Sequence, residues 1–148
     1  PPGQPNYYIA ELYQEIPVGF SPIYDENNVL IGLDTIYQWS PVYLYTADVS
    51  VENADTQSGE NWLLFSDRLF NGRNYQLIVD GEASVNARRF MFVLRHISPE
   101  WWRYALSADK HILSDGDPFA EPVQVQGNVE NGFGIFGAFA FDSLAVTR

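Results

Sequence analysis

The sequence predicts a mainly β domain: an antiparallel β-sandwich or partly closed barrel with one α-helix over about residues 98–113. Three observations predict it. Apolar and aromatic residues alternate with polar ones along most of the chain, the period-two signature of strands. Clusters of Gly, Pro, Asn and Asp interrupt those runs at short intervals. One segment alone switches to helical spacing. The 148 residues amount to one domain by size, and 46% apolar with 16% aromatic residues is ample for a core.

The first strand is NYYIAELYQE, Asn6 to Glu15, with Tyr7, Ile9, Glu11 and Tyr13 on one face. Pro17, Gly19 and Pro22 are expected to end it. YDENN, Tyr24 to Asn28, reads as a polar turn. VLIGLDTIYQW (Val29 to Trp39) and PVYLYTADVSV (Pro41 to Val51) read as two strands joined by a turn near Ser40 and Pro41. ENADTQSGEN, Glu52 to Asn61, is an acidic loop, and WLLFSD, Trp62 to Asp67, a short apolar strand. Asn71-Gly72 is a strong hairpin signal, so Arg73 to Asp80 is expected to return as a strand. Arg88 to Ile97 is a further strand, with Phe90, Phe92 and Leu94 on one face. Asp117 to Asn131 reads as a long extended connection, and the closing strand runs from about Ile135 to Val146.

The helix has its own start signals. Ser98 is a good N-cap, Pro99 suits the first helical position, and Glu100 complements the positive end of the dipole. Trp101, Ala105, Ala108 and Ile112 recur at helical spacing, with Trp102, Leu106 and Leu113 beside them. Gly116 and Pro118 follow as stop signals. Adjacent helical residues point about 100° apart, so one of Trp101 and Trp102 is expected in the core.

Composition excludes several functions. Nineteen acids against eight bases give a net charge of −11. Such a chain repels nucleic acid and anionic headgroups. There is no cysteine, hence no disulfide and no thiolate metal site. GFGIFG, Gly132 to Gly137, matches a dinucleotide-binding glycine pattern, but AFAFDSLAVTR after it alternates like a strand. The stretch is expected to be a glycine-rich strand entry, where glycine permits a bulge or lets another backbone come close, with no nucleotide bound. His96 and His111 lack further ligands at metal spacing. Asp55, Glu60, Asp115 and Asp117 lie in stretches too short for a calcium loop and read as solvated charge. No metal or other cofactor is expected. No nucleophile elbow is present, so no catalytic residues are assigned and the chain is read as non-enzymatic. Asp67 and Asn71-Gly72 read as turn-fixing residues.

The order of motifs carries a resemblance. NYY, then LFSDRLFNG, then ISPEWWRYALSAD, then DPFAEPVQVQGNVENGFGIFGAF resembles the C-terminal half of the domain-of-unknown-function 4249 lipoproteins of Bacteroidetes, encoded beside TonB-dependent outer-membrane receptors. It spans nearly the whole chain. It implies a module of an outer-membrane lipoprotein at the cell surface or periplasmic face. The lipidated cysteine and a small β-sandwich would lie upstream of PPGQPNYY. The implied partner is a TonB-dependent receptor, and the implied role is assisting nutrient capture. A carbohydrate-binding or glycan-hydrolysing domain is the alternative, since abundant carboxylates permit a glycosidase pair and exposed rings permit sugar stacking. The residues from Ile36 to Tyr45 match no motif of that family.

Those residues hold the candidate binding site: Tyr37, Trp39, Tyr43 and Tyr45. Each pair shares one face of its strand. If a tight turn joins the strands, the rings meet as cross-strand pairs. On an open face they form a rigid platform for a protein or glycan; in a core they are ordinary packing.

Overall fold

The computed structural model describes residues 4–53, 61–114, 123–132 and 134–148. The strands are β1 (Tyr7–Tyr24), β2 (Leu30–Pro41), β3 (Leu44–Tyr45), β4 (Trp62–Ser66), β5 (Asp80–Gly81), β6 (Arg89–Ile97) and β7 (Phe139–Thr147). Between β6 and β7 lies α1 (Pro99–Ser114), and a short 3-10 turn (Asp67–Leu69) follows β4. The fold is mainly β, antiparallel and sandwich-like, with an open sheet and the expected helix. Among the described residues no helix is long and apolar enough to cross a membrane.

The main sheet runs β2-β1-β6-β7, with β4 also paired to β1. β1 organises it. Tyr7–Glu11 pairs with β4, and Tyr7–Glu15 pairs with β6. From Tyr13 onward β1 pairs with β2. Alternation along β1 then divides the core in two. Ala10, with Leu63 and Phe65 of β4, meets Val42, Leu44 and Val51 on one face. Ile9, Leu64 and Ile97 meet Trp102 and Ala105 of α1 on the other. Trp102 is buried and its ring lies 4.6 Å from that of Tyr7. Trp101 is half-buried and meets Phe139 edge-on at 5.2 Å. Ser98 caps the helix: its Oγ accepts the Trp101 N–H at 3.3 Å.

Three boundaries differ from the sequence reading. β1 runs on through Pro17, Gly19 and Pro22 to Tyr24. Beyond Glu15, among the described residues, only β2 flanks it, so a proline whose nitrogen points away from β2 costs no ladder bond; a bulge between Pro17 and Gly19 absorbs the irregularity. The expected turn after Tyr24 is present, with the Asp25 carboxylate accepting the Asn27 and Val29 N–H groups at 2.9 and 2.8 Å.

Second, no strand turns back on β2 at Ser40-Pro41. β2 continues to Pro41, and the Val42 N–H donates to the Leu12 carbonyl at 2.8 Å. Val42 and Leu44 are buried in the core on the face away from α1, so the chain crosses the sheet edge there. β3 pairs with β5 in a separate two-stranded ribbon.

Third, Gly72 makes a turn at φ 74°, but Arg73 to Val79 does not return as a strand beside β4. That edge is already filled. Val51 bridges Phe65, Glu52 N–H donates to the Leu64 carbonyl, and the Asn53 side chain bonds Trp62 and Leu64 main-chain groups at 3.1 and 2.8 Å.

The glycine-rich stretch leads into β7 without opening a helix. A Cβ on Gly127 would collide with the Gly134 carbonyl, so of the two readings, bulge or close backbone approach, Gly134 shows the second. Phe133, the acidic loop from 54 to 60, and the segment 115–122 with its helix-stop residues lie outside the described residues.

Candidate functional site

The sheet face that carries α1 extends beyond the helix. There β2 and the second half of β1 supply its side chains. Directly paired residues share a face, so Glu15, Trp39 and Arg89 lie together on this side, as do Pro17 and Tyr37. Glu15 Oε2 accepts from Arg88 Nε at 2.7 Å and lies 3.9 Å from Arg89. Each arginine also faces a ring. The Arg88 guanidinium stands 3.4 Å from the Tyr37 centroid, and that of Arg89 5.7 Å from Trp39. The Arg88 hydrogen bond holds the Glu15 carboxyl below its ordinary range.

A second set continues towards the helix. Arg95 Nε donates to Glu11 Oε2 at 2.7 Å, and the Tyr13 hydroxyl donates to Glu11 Oε1 at 3.2 Å. Both arginines of the Glu15 set are about half exposed, so these pairs add modest stability and chiefly fix side-chain positions.

Tyr43 and Tyr45 belong elsewhere. They flank the buried Leu44 on the β3–β5 ribbon, and both are exposed. Partial desolvation, then a hydrogen bond with the Glu82 carboxylate, raises the Tyr45 hydroxyl pKa. The expected cross-strand pairing of Tyr37 and Trp39 with Tyr43 and Tyr45 therefore does not form, because the chain dives into the core at Val42 between them. Exposure itself holds for Tyr37, Tyr43 and Tyr45, while Trp39 is half-buried.

The largest apolar feature beside Tyr37 was hidden in the sequence by its prolines. Past the end of β6, β1 and β2 project as a two-stranded arm. Register places Phe20 with Thr35, Pro22 with Leu33, and Tyr24 with Leu30 on one face. Phe20 is 68% exposed and Leu33 62%. The opposite face is more broken, carrying Gly19 with Ile36, Ser21 with Asp34 and Ile23 with Gly32, so that its exposed Ile23 and Ile36 are separated by polar residues. Asp25 and Glu26 stand at the tip.

Other candidates have structural roles. Asp67 accepts from the Asn6 main-chain and side-chain nitrogens at 2.7 and 2.6 Å, and Asn71 donates to the Gln4 carbonyl at 2.8 Å. Both tie the start of β1 to the end of β4, beyond fixing a local turn. His96 packs near Tyr8, and His111 Nδ1 lies 3.0 Å from the Val123 carbonyl. Among the described residues no three His, Cys, Asp or Glu side chains group to hold a metal. Asp55, Glu60, Asp115 and Asp117 lie outside the described residues.

One protein family, described as Domain of unknown function (DUF4249), matches residues 1–145 of the chain. No curated protein and no solved structure matches it significantly.

Proposed function

The chain belongs to the DUF4249 family, and from that premise we propose that it is a non-enzymatic binding module of a Bacteroidetes surface lipoprotein. In this reading it assists nutrient capture by a TonB-dependent outer-membrane receptor. One observation carries the binding role: the β1–β2 arm leaves Phe20, Pro22, Tyr24, Leu30 and Leu33 uncovered on one face. A contiguous apolar strip of this kind, next to Tyr37 and Trp39, has the composition of an interface core. Asp25 and Glu26 at the tip supply the polar rim. The occupant is a protein surface with apolar side chains and basic residues at its margin, which complements the acidic tip.

Capture experiments with the full-length lipoprotein test this reading. Recovery of the co-encoded receptor from outer-membrane extracts is expected. Recovery of no outer-membrane receptor contradicts it. The carbohydrate reading draws on the exposed Tyr43 and Tyr45 beside Glu82, which offer rings and a carboxylate to a sugar. A glycan array gives binding that is lost on Tyr43→Ala if that reading is correct, and silence if it is not.

A further inference from the structure

A cavity of about 360 Å³ lies between α1 and the sheet. Trp62 of β4 and Trp101 and Tyr104 of α1 supply aromatic walls, with Glu11, Arg95 and Asp109 as the charged groups. Its size suits a small organic ligand.

Asp109 is the unexpected member. It falls on the stripe of α1 that contains Trp102 and Ala105, four residues further along the sheet-facing side. An apolar residue is the ordinary occupant of such a position. Asp109 is only 8% exposed as a residue, its carboxylate oxygens keep what access there is, and no described residue donates to them. The other two charges are satisfied by each other, because Arg95 holds Glu11 at 2.7 Å. The cavity thus contains two carboxylates against one guanidinium. Burial raises the Asp109 carboxyl pKa, with the neighbouring Lys110 opposing. Holding this charge therefore costs the empty protein stability.

We propose that this cavity binds a small alkylated ammonium ion. The rings of Trp62, Trp101 and Tyr104 contact its methyl groups, and Asp109 supplies the counter-charge. Three features converge on that class. Aromatic faces attract an organic cation, most strongly in a desolvated site. A carboxylate on the wall of a largely apolar cavity, with no protein donor and partial desolvation, favours a positive partner over a neutral one. A bound monocation brings the cavity to neutrality. The site is separate from the arm and does not depend on a receptor docking there.

Choline and its neutral isostere 3,3-dimethylbutan-1-ol separate charge from shape. Calorimetric titration of the full chain should detect choline, with the isostere about tenfold weaker or more. Asp109→Asn should abolish that preference while leaving the melting temperature unchanged or higher. Tyr104→Leu keeps the charge, removes one ring and should weaken choline binding. The proposal is overturned if choline does not bind, if the isostere binds equally, if Asp109→Asn binds choline undiminished, or if a neutral sugar such as glucose is preferred. A clear fall in stability on Asp109→Asn makes the carboxylate structural and also overturns it.

Discussion

Replacing Trp102 by Ala separates the two tryptophans at the start of the helix. Trp102 is 8% exposed and packs in a cluster with Ile9, Leu64 and Ile97. Those neighbours lie on β1, β4 and β6, and β1 is paired along both edges there. They cannot close in on the vacated space without breaking the ladder. The loss therefore belongs near the upper part of the usual aromatic-to-alanine range, about 4 kcal/mol. The Tyr7 ring at 4.6 Å loses its partner in the same substitution, within that figure. Trp101 keeps one side in solvent, and its contact with Phe139 is edge-on. Trp101→Ala should cost about 1 kcal/mol. Urea denaturation measures both, and in melting temperature the Trp102 variant should fall by about 10 °C. Equal losses from the two variants, or none from Trp102→Ala, would refute the reasoning that α1 packs through Trp102.

Asn53→Ala strips the side chain that bonds the edge of β4, leaving the buried Leu64 N–H and the half-buried Trp62 carbonyl without it; a loss of about 2 kcal/mol is expected by denaturant titration. Gly127→Ala forces apart the backbone at Gly134 and should cost about 2 kcal/mol in the same assay, against almost nothing at Gly19, which has open space around it. Acidification should act oppositely on two carboxylates. Glu15, held below the ordinary range by Arg88, stabilises the fold above that range, and its contribution is lost as pH falls through the lowered value; melting curves of Glu15→Gln should converge with wild type in acid. Asp109, raised by burial, penalises the fold at neutral pH and is relieved as pH falls through its raised value, so the gain from Asp109→Asn should disappear in acid.

The helix was the most legible element, because Ser98, Pro99 and the tryptophan spacing all point to one start and one buried stripe. β4 and β6 were legible for a related reason, since their apolar runs are short and bounded by turn residues. What the sequence concealed was decided by partners distant in the chain. Pro17 and Pro22 normally end a strand, and they are tolerated only because β6 stops at Arg89 opposite Glu15. Asn71-Gly72 turns the chain as its chemistry demands, but Val51 to Asn53 already occupies the edge where a hairpin would form. Tyr37, Trp39, Tyr43 and Tyr45 were selected by alternation, and three of the four rings are exposed. Their separation onto two sheets follows from the burial of Val42, which no local pattern signals. Asp109 was passed over because a single carboxylate on a helix is ordinarily solvated; its burial depends on the sheet beneath it.

The affinity of the full-length protein for the TonB-dependent receptor proposed as its partner, with and without Phe20→Ser and Leu33→Ser, tests the binding role of the arm most directly. Both side chains are exposed and neither belongs to a buried cluster, so stability should change by no more than about 0.5 kcal/mol per site. The account predicts that the double variant binds at least about tenfold more weakly, or about 1.4 kcal/mol, with an unaltered melting curve. Receptor binding at wild-type strength by a folded double variant would contradict it.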